Sequence, residues 1–177
     1  MSALAQLPAV TCAFAKTEKI AIFTANSETL TPMRDLIKDE CGVDPSEDRF
    51  VIVGCQDVPG FEAVALGEKV DVAAVTPGMI AKCAAVLEEH PTIRAILMEC
   101  TELPPYSDAL RHATGLPVFD AITCTDLFVN GFVDNPRFGI QGWQEKWDGE
   151  QEKYTFGENL DAEDLSKVVN EVPPEEE

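Results

Sequence analysis

Arg94-Ala-Ile-Leu-Met-Glu-Cys-Thr-Glu-Leu-Pro-Pro105 is the stretch that decides the fold. Its apolar run ends at a carboxylate, a thiol and a hydroxyl, and two prolines follow almost at once. Four consecutive apolar residues bounded by turn signals read as a strand buried on both faces. Proline is tolerated in the first turn of a helix, so Pro104-Pro105 predicts a helix that runs to Gly115. The same order of strand, polar turn and helix recurs outward from it. Lys19–Thr24 and Phe50–Gly54 are apolar runs of strand length. Between them Ser27 is expected to cap a helix that Gly42 stops. Asp57–Pro59 opens a short helix to about Leu66. The apolar spacing from about Val72 to Glu89 is helical, and His90-Pro91 ends it. Leu116–Phe119 reads as a fourth, short strand and Ala121 to about Val133 as a last helix. Such alternation predicts an α/β fold, a parallel sheet with flanking helices. Ligands of these sheets bind beyond the strand carboxyl ends. Thr24–Ser27, Cys100–Leu103 and Asp120 all lie there.

The bulk properties suit one such domain. The chain has 177 residues, of which 45 % are hydrophobic, enough for a single core. Acidic residues number 32 against 13 basic ones, a formal charge of −19. That balance excludes a nucleic-acid footprint and argues against docking on anionic lipid. Residues 141–177 hold 12 of the acids and 3 of the bases. Glu171–Glu177 is therefore expected to be a frayed acidic tail. The organisation expected is a lead-in over 1–18, an α/β lobe over 19–133, and a C-terminal extension over 134–177. Trp143, Trp147, Tyr154 and Phe156 are expected to pack that extension on the lobe or on a second subunit. The six cysteines show no CxxC spacing and there are two histidines, so neither zinc nor a disulfide framework is expected. No GxGxxG, Walker loop or GxSxG elbow occurs. Residues 1–15 contain Pro8 and no basic region, which makes a poor signal peptide. No run approaches the roughly 20 apolar residues of a membrane span. The expectation is a soluble, intracellular protein with no metal and no cofactor, its partner a small-molecule substrate.

Cys100 carries the most chemistry. It ends a strand just ahead of an expected helix N-terminus, where free N–H groups favour a thiolate. A thiolate is a nucleophile or a general base. The plainer reading is a small buried hydrophobe. Of the other cysteines, Cys41 and Cys83 read as core, Cys55 and Cys124 follow strand ends, and Cys12 lies in the unplaced lead-in. Thr101, Thr24, Asn26 and Ser27 are short polar residues at the same rim. They can hydrogen-bond a substrate carboxylate, or simply cap helices. Asp120 either orients the site or caps the last helix. Glu99 and Glu102 flank the cysteine. His112 reads as surface and His90 as a helix end.

Ala95–Leu110 with its Glu-Cys-Thr-x-x-Pro-Pro-Tyr motif, followed by Ala113-Thr-Gly-Leu-Pro-Val-Phe-Asp-Ala-Ile-Thr123, resembles the aspartate/glutamate racemase superfamily. More narrowly it is similar to the branch that includes the algal dimethylsulfoniopropionate lyases of the Alma type. Asp134–Gly139 and the Trp- and Glu-rich stretch after it point the same way. The resemblance implies a cofactor-free site between two α/β lobes, each lobe giving one cysteine. By motif Cys100 matches the second-lobe cysteine. Thr101 and the Thr24–Ser27 turn match substrate-carboxylate positions. Read this way, Lys19 begins the second lobe's strand and 18 residues precede it, so the first lobe is expected to be largely absent. Racemisation needs a base on one face and an acid on the other. Elimination of dimethyl sulfide from dimethylsulfoniopropionate needs one base, because a sulfonium leaves unaided. The resemblance thus implies a lyase. The alternatives are a cofactor-independent amino-acid racemase and a non-catalytic paralogue that associates with full-length subunits. Family members oligomerise, so a homo-oligomer is expected, and Cys100 is expected to alkylate fastest of the six thiols. A zwitterionic substrate also meets less repulsion from an acidic protein than a dianion does.

Overall fold

A computed structural model of the protein describes residues 3–133 together with Gly149 and Glu150. Chain contacts divide it into Met1–Val133 and Asp134–Glu177. Trp143, Trp147, Tyr154, Phe156 and the acidic tail lie outside the described residues.

Among the described residues four parallel strands form the sheet: β1 (Lys19–Thr24), β2 (Phe50–Gly54), β3 (Ile93–Met98) and β4 (Val118–Phe119). Their order is β2-β1-β3-β4. Thr24 pairs with Gly54, Phe23 with Met98, and Leu97 with Phe119. The chain steps from β1 to β2 on one side, then returns past β1 to β3 on the other. That reversal puts a topological switch point between the carboxyl ends of β1 and β3.

Among the described residues seven α-helices connect and cover the strands. They are α1 (Leu7–Cys12), α2 (Ser27–Leu30), α3 (Arg34–Cys41), α4 (Ala63–Leu66), α5 (Val72–Glu89), α6 (Ser107–Thr114) and α7 (Ala121–Val129). Three expectations need correction. The helix after β1 is capped by Asn26, not Ser27: Asn26 has the extended backbone of a cap, and its side chain accepts from the Glu28 N–H at 2.8 Å. That helix is also interrupted, since Pro32 withholds an N–H and a 3-10 turn over Thr31–Met33 separates α2 from α3. The helix expected at Pro104 begins as another 3-10 turn, Pro104–Tyr106, and becomes α-helical only at Ser107. Gly42 closes α3 at φ +67°, a conformation that strains any residue with a Cβ.

The pleat sends alternate side chains into two cores. Ala21, Phe23, Ile96 and Met98 pack with Met79 and Cys83 of α5 and Leu110 of α6. Ile20, Ile22, Ala95 and Leu97 pack with Leu7 and Val10 of α1 and Ile37 of α3. The lead-in, unplaced in the sequence, is thus half of the second core's roof. Arg49 holds it down by donating from Nη2 to the Thr11 and Phe14 carbonyls at 2.7 and 2.8 Å. A guanidinium on the last carbonyls of a helix satisfies acceptors the helix itself cannot. Among the described residues no helix is long and apolar enough to cross a membrane.

Candidate active site

The sheet's ladder continues one residue past β2 and β3, which fixes the rim. The Glu99 N–H donates to the Phe23 carbonyl at 2.7 Å, and the Cys55 N–H to the Thr24 carbonyl at 2.9 Å. Beyond that point the pleat sorts the polar residues by face. Thr24 follows Ile20 and Ile22 toward α1 and α3, and its hydroxyl donates to Glu99 Oε2 at 2.9 Å. Cys55 and Cys100 instead join the core under α5 and α6. The rim therefore carries a hydroxyl–carboxylate pair on one face and thiols on the other.

Cys100 is half-buried. Burial raises its pKa most, and the Glu99 and Glu102 carboxylates add to the rise. The backbone N–H groups of Glu102 and Ala25 favour the thiolate and oppose it, but the net direction is up. This overturns the expectation of a lowered pKa. The helix meant to supply the positive end starts at Ser107, beyond a turn and a 3-10 segment. Two carboxylates, Glu99 and Glu102, act on the thiol in the opposite sense. Cys55 is fully buried, and burial above all pushes its thiol to about 12, with Lys82 opposing. Tyr106 lies in the same core, edge-on to Phe61 with ring centroids 6.0 Å apart. Among the described residues its buried hydroxyl has no hydrogen-bond partner, and neither has that of Ser107.

The other expected site residues are placed as follows. Asn26 spends its carboxamide oxygen on the α2 cap. Ser27 Oγ accepts from Gln56 Nε2 at 3.2 Å, and its N–H donates to Gln56 Oε1 at 3.4 Å. Gly54 makes room for this clasp, since a Cβ there would fall 2.0 Å from Gln56 Oε1 and 2.7 Å from Ser27 Oγ. Thr101 is exposed on the turn after Cys100. Asp120 is 2 % exposed and forms a capping box on α7. Its Oδ1 accepts from the N–H groups of Ile122 and Thr123, and its own N–H donates to Thr123 Oγ1. Arg111 Nη2 stands 3.8 Å from Oδ2. So the rim sets Cys100 beside the backbone N–H groups of Ala25 and Glu102, with the Thr24–Glu99 pair on the other face, while Asp120 is occupied at the end of β4. Sequence reasoning passed over Gln56 and Tyr106 and gave Glu99 no role. The period-2 pattern that puts Leu97 on the Ile22 face was the available signal for Glu99. Among the described residues no group of three or more His, Cys, Asp and Glu side chains gathers to hold a metal.

These features define a class: an open parallel α/β sheet with a half-buried thiol at its switch point. No protein-family model matches the chain. It is 59 % identical over 174 residues to dimethylsulfoniopropionate lyase 7 of Emiliania huxleyi, covering 96 % of this chain and 51 % of that protein. It is 55 % identical to dimethylsulfoniopropionate lyase 3 of the same organism, covering 99 % and 47 %. A dimethylsulfoniopropionate lyase of Durusdinium sp. clade D is 56 % identical, with 98 % and 57 % covered. The proteins it matches are dimethylsulfoniopropionate lyases, and the chain is similar to them over the part of their length that it spans. That part is about half of each of these relatives. Among solved structures, an allantoin racemase from Pseudomonas fluorescens aligns with a TM-score of 0.48 at 17 % identity, over 87 % of this chain and 60 % of that one.

Proposed function

We propose that the chain carries out dimethylsulfoniopropionate cleavage, with Cys100 as the base. The Cys100 thiolate takes the proton from the carbon next to the carboxylate. The C–H electron pair becomes the double bond of acrylate. The bond between the β-carbon and sulfur breaks, and dimethyl sulfide leaves with its electron pair. Neither electrons nor a cofactor are consumed. The observation that carries this reading is the identity of 55–59 % to proteins named for that reaction over nearly the whole chain. The raised pKa of Cys100 is compatible with it. A thiolate of higher pKa is the stronger base, and a bound sulfonium favours its formation by Coulomb attraction. Thr101, Ser27 and the Asn26 NH2 group would receive the substrate carboxylate, and Thr24 would act indirectly by holding Glu99. The chain is also expected to self-associate. Ile122, Leu127, Phe128 and Phe132 are exposed apolar residues on α7 and the turn after it. Headspace detection of dimethyl sulfide over the purified chain, beside Cys100→Ala, tests the activity. Release by the unmutated chain that the variant loses is expected; no release sinks the reading. A light-scattering mass near 19.3 kDa would refute self-association.

A further inference from the structure

The two edges of the sheet are finished differently. At β4 the Pro117 carbonyl accepts from Ile96, which turns the Val118 carbonyl away from the sheet. Arg111 takes that carbonyl, donating from Nε and Nη2 at 3.3 and 3.0 Å. A guanidinium there closes the edge to another strand. At β2 the bonds from the Ile20 N–H to Arg49 and from the Cys55 N–H to Thr24 set the register. They put the polar groups of Val51 and Val53 against β1, so those of Phe50, Ile52 and Gly54 face outward. Phe50 spends its N–H on the Glu47 carbonyl. The Ile52 N–H and carbonyl and the Gly54 N–H have no partner among the described residues. Nothing in β2 guards them: Phe50-Val-Ile-Val-Gly54 holds no charge and no proline, and its register with β1 is unbroken.

A groove of about 720 Å³ runs along this edge, between β2 and α5. Gly78, Ala81 and Ala85 keep its helix wall low. Asp57 and Lys82 lie at one end, paired with each other, and Glu89 and His90 at the other. Two copies of a chain of charge −19 repel over most of their surface. This groove is an exception, since an antiparallel copy sets the Lys82 end of one against the Glu89 end of the other. The strand is complementary to itself as well. Turned about a two-fold axis at Ile52, each Ile52 exchanges both bonds with the other, and each Gly54 N–H meets the other copy's Phe50 carbonyl. We propose that β2 is a two-fold interface between two copies of this chain, joining their sheets by antiparallel β2–β2 pairing. Such a contact closes on itself, and Arg111 at the far edge stops the sheet from growing further. The surface is distinct from the exposed residues of α7, and the pairing does not rest on the lyase reading.

Light scattering on the full chain gives the mass, and amide hydrogen exchange reads the edge. A mass of at least twice 19.3 kDa is expected. The Ile52 and Gly54 amides are expected to exchange about tenfold or more slower in concentrated than in dilute protein. Ile52→Pro removes the outward N–H and is expected to halve the mass. Ala85→Glu, at an exposed position on the groove's helix wall, covers the case in which that variant fails to fold. Glutamate suits a helix, and here it brings like charges together across the axis, so loss of pairing and fast exchange at both amides are expected. Phe132→Ser, beyond α7, is expected to leave that protection unchanged. A chain that stays monomeric when concentrated overturns the proposal. An oligomer whose Ile52 and Gly54 amides exchange freely also overturns it, and its loss in Phe132→Ser would make the α7 surface the interface. Protection that does not change with concentration means that another segment of the chain covers the edge, and overturns it too. Dimethyl sulfide release enters none of these outcomes.

Discussion

Replacing Tyr106 by Phe should make the protein more stable. The side chain is 1 % exposed and its hydroxyl has no partner among the described residues. A buried hydroxyl left without a hydrogen bond costs about 1–3 kcal/mol. Phenylalanine removes that cost and keeps the ring, including its edge contact with Phe61. The expected gain is about 1–2 kcal/mol, or roughly 3–5 °C in Tm per kcal/mol for a unit of this size. Urea unfolding followed by circular dichroism reads it directly: the midpoint rises and the slope stays the same. A loss of about 1 kcal/mol or more would show that the hydroxyl is hydrogen-bonded in solution, and the reasoning would fail. Dimethyl sulfide release by the same variant separates stability from function. A stabler protein with much reduced turnover would mean that the orphaned hydroxyl is kept for the reaction.

At pH 7 iodoacetamide should label exposed Cys12 before Cys100, because burial and two carboxylates hold Cys100 largely as thiol; peptide mapping that finds Cys100 first would contradict this. Glu102→Gln removes one of those carboxylates, so Cys100 should label faster in that variant, and an unchanged rate would deny Glu102 any influence. Asp120→Ala should cost about 1–2 kcal/mol by undoing the α7 cap, and a thermal melt that does not move would exclude it. Cys55 and Cys83 titrate at about 12 and about 11 in the folded chain, against about 8.5 when unfolded. Their contribution to stability is whole below the unfolded value and is lost as pH climbs through the folded ones. Unfolding free energy should therefore fall between about pH 9 and pH 11, less steeply in Cys55→Ala, and equal slopes would count against the assignment.

Much of the sheet could be read from the sequence because its strands are buried on both faces. Ile20–Phe23 and Phe50–Val53 are unbroken apolar runs, and their length between turn signals suits a strand. The bounds of α5 were equally plain, with apolar residues at helical spacing from Val72 and His90-Pro91 to stop it. The lead-in was not legible. Six residues of α1 carry no side-chain cap, and they are helical because the second core needs a roof. Asn26 and Ser27 are both good caps, and only the extended backbone at Asn26 decides between them. Cys100 was found by its place after the strand, but its titration was misjudged. The carboxylates and burial that raise it depend on docking, which a linear motif does not carry. The groove beside β2 needs α5 to lie along the sheet edge, so no local pattern announces it.

The lead-in reaches the far end of the unit through one side chain. Gln6 Nε2 donates to the Asp120 carbonyl at 2.8 Å, across 114 residues of chain. Its oxygen lies 3.3 Å from Thr123 Oγ1, the other half of the α7 cap. Loop-closure entropy must be spent before such a contact gives anything back. The lead-in is synthesised before β4 and α7 and therefore waits for them before it can settle. Until then the Ile22 and Leu97 face of the sheet stays uncovered, a window in which the nascent chain is open to misassociation. Gln6→Ala should lengthen that window, and slower refolding with little change in the unfolding rate is its kinetic mark if the contact forms in the transition state.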